Sequence, residues 1–189
     1  KYSAAAFATK HEDAIYFSKR VTRAVPDGGP IEAHTDLVKK LDYECELAVV
    51  LGRDARDVPA GQTRDYIFGY TILNDVSARD VQTAHKQWYL GKSLDGFTPI
   101  GPCIVTADAF ADYPPRLGIR SFVNGEKRQD SNTALQIFDI DHVIAELSQG
   151  MTLKAGTIIA TGTPAGVGMG MDVVRCEIDG IGTLTNPVK

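Results

Sequence analysis

The chain has 189 residues, 43% hydrophobic and 23% charged, enough for one domain with a substantial core and unlike a disordered or low-complexity protein. Its net charge of −4 comes from 20 basic and 24 acidic residues mixed along the chain, without the basic stripe and interleaved aromatics of a nucleic-acid binder. Cys45, Cys103 and Cys176 lack disulfide or zinc-knuckle spacing, and no signal peptide or membrane span is legible, so the expectation is a soluble, cytoplasmic single domain over residues 1–189.

Residues 41–51 and 67–73 are apolar, β-branched or aromatic runs of strand length. A short helix is expected from Ser77, because Ser77 to Asp80 has capping-box spacing with aspartate standing in for the usual glutamate. Residues 119–123 alternate and run into Asn124-Gly125, a hairpin signal because both turn positions tolerate positive φ. Residues 140–149 read as a helix with Val143, Ile144 and Leu147 on one face, Asp139 or Asp141 as N-cap and Gly150 as stop. Residues 156–161 read as a buried strand, and 173–178 with 181–184 as a second hairpin through Asp179-Gly180. The fold class expected is mainly β (α+β), with a few short helices at the edges.

If 41–51 is one strand, Glu44 and Glu46 share a face. On spacing alone that pair reads most simply as the wet side of an amphipathic strand. Ala48 and Val50 continue the same face, however, so the carboxylates stand where the surface turns apolar. Two acids there repel each other and resist desolvation unless a cation compensates them. Asp75, ending the next strand run, is the third carboxylate of a candidate divalent-metal site; its simpler reading is a turn or cap residue. Three carboxylates without a histidine or cysteine pair favour a hard ion, Mg²⁺ first, Mn²⁺ as a substitute and Ca²⁺ also compatible.

Four blocks carry a resemblance. Residues 42–50 (DYECELAVV), 69–80 (GYTILNDVSARD), 91–102 (GKSLDGFTPIGP) and 160–168 (ATGTPAGVG), with the hairpin 123–126 (VNGE), resemble the fumarylacetoacetate hydrolase family in content and order. The resemblance implies a mixed β-roll or barrel-like sandwich, a Mg²⁺ or Mn²⁺ centre, and a homodimer acting on a small 2-oxo acid. It implies Glu44, Glu46 and Asp75 as metal ligands and Lys92 as an active-site lysine. It also implies Arg79 and Gln82 as polar residues beside the metal and Thr163 as a substrate contact. Without its block, Lys92 would read as a surface lysine.

The chemistry of the residues is consistent with those implications. A 2-oxo acid or β-dicarbonyl chelates a divalent ion, and cleavage beside the carbonyl leaves an enolate that a Lewis acid stabilises. Lys92 could supply a positive charge or a proton, and burial beside a cation should lower its pKa. The glycine-rich 162–170 stretch lacks the Lys-Ser/Thr of a P-loop and precedes a strand, so it reads as a loop offering N–H groups and the Thr163 hydroxyl to a carboxylate, or as a plain glycine turn.

Two departures from the family pattern stand out. Lys1 to Ala5 has alanine where relatives carry a water-activating histidine, and 168–172 (GMGMD) is a short version of a longer loop. Both fall where mobile lids are expected, and lid residues are expected to be missing from the sequence there. His11, His34 and His142 read as packing or surface residues, while His85 is balanced between packing and ligand contact. The leading expectation is C–C hydrolysis of an acylpyruvate- or fumarylpyruvate-type compound. Oxaloacetate decarboxylation or 2-hydroxyhepta-2,4-diene-1,7-dioate isomerisation is the alternative within the same chemistry, and a non-catalytic domain pinned by a metal is the alternative outside it.

Overall fold

A computed structural model of the chain describes residues 13–189. Among the described residues ten strands form three antiparallel sheets, with three short α-helices at their margins, so the mainly β expectation holds. In chain order the strands are β1 (Leu41–Asp42), β2 (Cys45–Leu51), β3 (Ile67–Asn74), β4 (Ser77–Ala78) and β5 (Ile100–Thr106). They continue with β6 (Gly118–Val123), β7 (Glu126–Asn132), β8 (Ile158–Ala160), β9 (Val173–Ile178) and β10 (Gly182–Pro187). One four-stranded sheet has the order β5-β3-β2-β8 and the other β10-β9-β6-β7, while β1 pairs with β4.

The core forms where the two larger sheets face each other. Leu47, Val49 and Leu51 of β2 and Ile72 of β3 join one apolar cluster with Ile119, Val174, Ile178 and Leu184. The Cys45 thiol reaches the Arg120 carbonyl on β6, which places the odd-numbered face of β2 against the second sheet. The even-numbered face is buried too, Ala48 completely and Glu46 to 3% exposure. The wet-face reading of Glu46 is therefore excluded.

Several boundaries differ from the sequence reading. The 41–51 run breaks at Tyr43 and Glu44, because the chain leaves its pairing with β4 before it joins β3. Ser77 caps no helix: it lies in β4 and its hydroxyl donates to the Asp75 carbonyl. The helix there, α1 (Arg79–Ala84), starts two residues later without a side-chain cap. A further one-turn helix, α2 (Tyr89–Lys92), was not legible. The 156–161 run shrinks to β8, an edge strand in which Ile159 alone is buried.

Other expectations hold. Asn124 and Gly125 both take positive φ, 52° and 85°, and close the β6–β7 hairpin. The second hairpin forms as well, but its connection takes three residues, 179–181, in place of the expected Asp179-Gly180 turn, since Ile178 pairs with Gly182. Helix α3 (Ile140–Ser148) has Asp139 as N-cap, its carboxylate accepting the His142 N–H, and buries Ile140 and Ile144. No helix among the described residues is long and apolar enough to cross a membrane.

Candidate metal centre

The β2–β3 register builds the site. Cys45 pairs with Asn74, so Glu44, just before β2, and Asp75, just after β3, are neighbours at the same sheet end. The Asp75 N–H donates to the Glu44 carbonyl at 2.9 Å, and the Asn74 side chain accepts the Glu44 N–H at 3.0 Å. Glu46, one step into β2, turns its carboxylate to the same place. One carboxylate oxygen from each of Glu44, Glu46 and Asp75 lies within 4.8 Å of the others. Oxygens sharing one octahedral Mg²⁺ stand about 3–4 Å apart, so modest side-chain movement would bring all three onto one ion.

Three cations surround the cluster. Lys92, at the end of α2 and almost fully buried, donates to Glu44 at 2.8 Å and to Asp75 at 2.7 Å. Arg79 bridges Asp42 (2.8 Å) and Glu44 (2.6 Å) and also donates to the Gln82 side chain at 3.2 Å. Lys19, from the irregular segment before β1, donates to Asp75 at 2.5 Å and to the Phe97 carbonyl at 2.6 Å. Four acids, Asp42, Glu44, Glu46 and Asp75, thus stand against three bases.

Glu46 is the acid left without a basic partner. It accepts the Gly162 N–H at 2.7 Å, and no lysine or arginine among the described residues touches it. Burial, reinforced by the charges of Asp75 and Glu44, pushes its carboxyl well above the usual range. Burial opposes ionisation of Asp75 as well, but Lys19 and Lys92 outweigh it and hold that carboxyl low. The same carboxylates overcome burial at Lys92 and hold its ammonium above its ordinary value. A buried carboxylate without a basic partner, flanked by two more in an all-oxygen set, fits a hard divalent ion.

Glu44, Glu46, Asp75, Lys92, Arg79 and Gln82 are therefore brought together. Thr163 adjoins them by a different use of its hydroxyl, which donates to the Cys45 carbonyl and accepts from Gln129 (both 2.8 Å). His85 is exposed at the end of α1, His34 contacts the Asp95 carbonyl, and His142 stacks on Phe138. His11 and the 1–5 segment lie outside the described residues. Sequence reading missed Lys19, Asp42 and Gln129. Lys19 stands in a segment without periodicity, and Gln129 in a polar run that resembles surface. Asp42 did sit inside a matching block, and its burial beside Arg79 is what marks it.

The family description Fumarylacetoacetate (FAA) hydrolase C-terminal matches residues 2–189. Among curated proteins, oxaloacetate tautomerase YisK of Bacillus subtilis (strain 168) is 42% identical over 186 residues, 94% of this chain and 62% of the relative. Among solved structures, 2-hydroxyhepta-2,4-diene-1,7-dioate isomerase from Mycobacterium marinum is 46% identical with a TM-score of 0.79, over 86% of this chain and 64% of that one. Fumarylpyruvate hydrolase from Pseudomonas aeruginosa, in complex with Mn²⁺ and pyruvate, is 31% identical with a TM-score of 0.79, over 88% of this chain and 73% of that one. The chain spans 62% and 63% of the length of the first curated relatives it matches.

Proposed function

The chain belongs to the fumarylacetoacetate hydrolase family, and from that premise we propose that it is a divalent-metal-dependent enzyme of 2-oxo acid or β-dicarbonyl substrates, cleaving a C–C bond in an acylpyruvate- or fumarylpyruvate-type compound. The observation that carries the reading is the buried Glu46 carboxylate, set between Glu44 and Asp75 and without a basic partner among the described residues. Glu44, Glu46 and Asp75 would hold the ion, Mg²⁺ or Mn²⁺. Bound there, the ion would supply Lewis acidity to the keto and carboxylate oxygens of the substrate and so favour the enolate.

Hydrolysis adds the OH of a solvent water to the acyl carbon as the C–C bond breaks and a proton to the enolate carbon, and the chain's own groups orient the substrate and hold that proton. Lys92 Nζ donates to both Glu44 and Asp75 at the edge of the carboxylate cluster, where its proton can be passed to the carbon of the departing enolate. Arg79 fixes the rotamer of Glu44 while Asp42 fixes Arg79, so neither has to reorganise as charge develops. Gln82, held by Arg79, offers its amide nitrogen to a substrate oxygen. Because the Thr163 hydroxyl proton already serves the Cys45 carbonyl, its backbone N–H is the group assigned to the substrate carboxylate. Lys19 adds positive charge on the Asp75 side for an anionic substrate.

A second reading keeps the same enolate chemistry without hydrolysis. Relatives named as a tautomerase and an isomerase are 42% and 46% identical to this chain, about as similar to it as one named a fumarylacetoacetate hydrolase, at 48%. Tautomerisation and isomerisation move a proton and need no activated water. The deciding experiment follows pyruvate release from acylpyruvates and fumarylpyruvate, enol–keto conversion and decarboxylation of oxaloacetate, and dienol isomerisation, each with Mg²⁺ or Mn²⁺ and again with EDTA. Metal-dependent pyruvate release from acylpyruvates or fumarylpyruvate supports hydrolysis, and metal-dependent proton transfer or oxaloacetate decarboxylation without it supports the second reading. No turnover of any substrate with either ion rejects both.

A further inference from the structure

Beyond β8 the chain does not leave β2 but runs on beside it. The Ala48–Ala160 pairing is followed by the Thr161 N–H on the Leu47 carbonyl, the Gly162 N–H on Glu46, and the Thr163 hydroxyl on the Cys45 carbonyl. Next come the Tyr43 hydroxyl on the Gly166 carbonyl and the Gly168 N–H on Asp42. Loop 161–168 is thus fastened, point by point, along the segment 47–42 that carries Glu44 and Glu46.

Gln129 sits at the middle of this seam. It enters from β7, in the other sheet, and is completely buried. Its Oε1 accepts the Cys45 N–H at 3.3 Å, while its Nε2 donates to the Thr163 hydroxyl at 2.8 Å and to the Pro164 carbonyl at 2.7 Å. Both amide hydrogens and the carbonyl are used, and the flipped amide would set NH₂ against the Cys45 N–H, so the orientation is fixed. The Cys45 N–H belongs to the peptide joining it to Glu44, and its carbonyl to the peptide joining it to Glu46. Gln129 holds the first directly and the second through Thr163.

We propose that Gln129 is a positioning residue of the metal centre, fixing the two peptides on either side of Cys45 so that the Glu44 and Glu46 carboxylates stay aimed at one ion. This rests on the metal reading above. A surface-like strand residue needs no such network, and buried polar groups that orient ligands set metal affinity as the ligands themselves do.

The test is Mn²⁺ binding to the full chain, read from the electron paramagnetic resonance signal of free Mn²⁺, with thermal melts in EDTA alongside. Gln129→Met keeps length and removes every polar contact, Thr163→Val removes the relay hydroxyl, and Thr163→Ser restores it. We expect Kd for Mn²⁺ to rise about 10- to 100-fold in Q129M and T163V and to return to the wild-type value in T163S. A merely structural Gln129 would lower the melting temperature and leave Kd unchanged, which overturns the proposal. Should Q129M not fold, T163V with wild-type Kd overturns it equally, as does a T163S that fails to recover. Glu46→Gln separates the two levels: wild-type binding that E46Q loses keeps the metal reading even if Gln129 proves inert. A wild-type chain that binds no Mn²⁺ removes both.

Discussion

Replacing Glu46 by glutamine keeps the shape of the site and deletes one of its charges. The glutamine oxygen can still accept the Gly162 N–H, so the loop after β8 keeps its anchor. What changes is electrostatic: a buried acid facing Asp75 and Glu44 becomes neutral, and the proposed ion loses a ligand. Two opposite effects on stability follow. In EDTA, E46Q should melt at or above the wild-type temperature, because a buried like-charge repulsion has gone. With Mn²⁺ at 100 times the wild-type Kd, the wild type should gain about 2.7 kcal/mol by mass action, about 5–11 °C for a domain of this size. If the lost carboxylate weakens binding about 100-fold, the same Mn²⁺ concentration equals the variant's Kd and yields only about 0.4 kcal/mol, about 1–2 °C. Differential scanning fluorimetry with and without Mn²⁺, paired with a turnover assay, reads both signs. Equal ion-induced shifts in the two proteins would refute the assignment of Glu46. Loss of stability as the main defect, with no turnover in the wild type to lose, would favour a non-catalytic domain pinned by its metal.

Lys92→Met should lower turnover by about 10²- to 10⁴-fold while Mn²⁺ still binds, since the ammonium competes for the same oxygens of Glu44 and Asp75; wild-type turnover would remove Lys92 from the chemistry. Gly166→Ala should cost about 1–3 kcal/mol in urea melts, because Gly166 has φ +110° and an added Cβ would lie 2.1 Å from the Arg128 carbonyl oxygen. An unchanged melt would mean that the loop does not pack on β7 as described. Tyr70 is pushed up to about 12 by burial, against 10.0 for a free phenol. Its neutral form is favoured in the folded state, so its contribution is intact below pH 10.0 and is lost as pH rises from there towards about 12. Tyr70→Phe should flatten the fall in stability over that window, and an unchanged slope would show that Tyr70 does not report it.

Much of the site was legible because its residues come in short contiguous blocks. Glu44, Glu46, Asp75 and Arg79 lie within 36 positions, the first three in or next to β2 and β3, whose apolar runs are plain, so the pairing of those strands could be anticipated. Glu44 and Glu46 do not share one alternating strand, since Glu44 precedes β2 and reaches the cluster through its rung with Asp75. Residues that act at long range were not legible. Lys19 arrives from a segment without secondary structure, and its role depends on Phe97, 78 positions away. Gln129 lies in EKRQDSN, whose composition reads as solvent-facing, yet the β6–β7 register turns it into the core beside Ser121. Ser77 misled for a local reason: its hydroxyl found the Asp75 carbonyl instead of a helix N–H.

The central claim is that the carboxylate cluster supports enolate chemistry on a 2-oxo acid, whichever bond is finally broken. The most direct measurement is exchange of the methyl protons of pyruvate for deuterium in D₂O, followed by proton NMR with Mg²⁺ or Mn²⁺. Wild-type protein should accelerate the exchange, EDTA should abolish the acceleration, and E46Q should lack it while remaining folded. Exchange at the uncatalysed rate with either ion present, or acceleration that survives both EDTA and E46Q, would contradict the account.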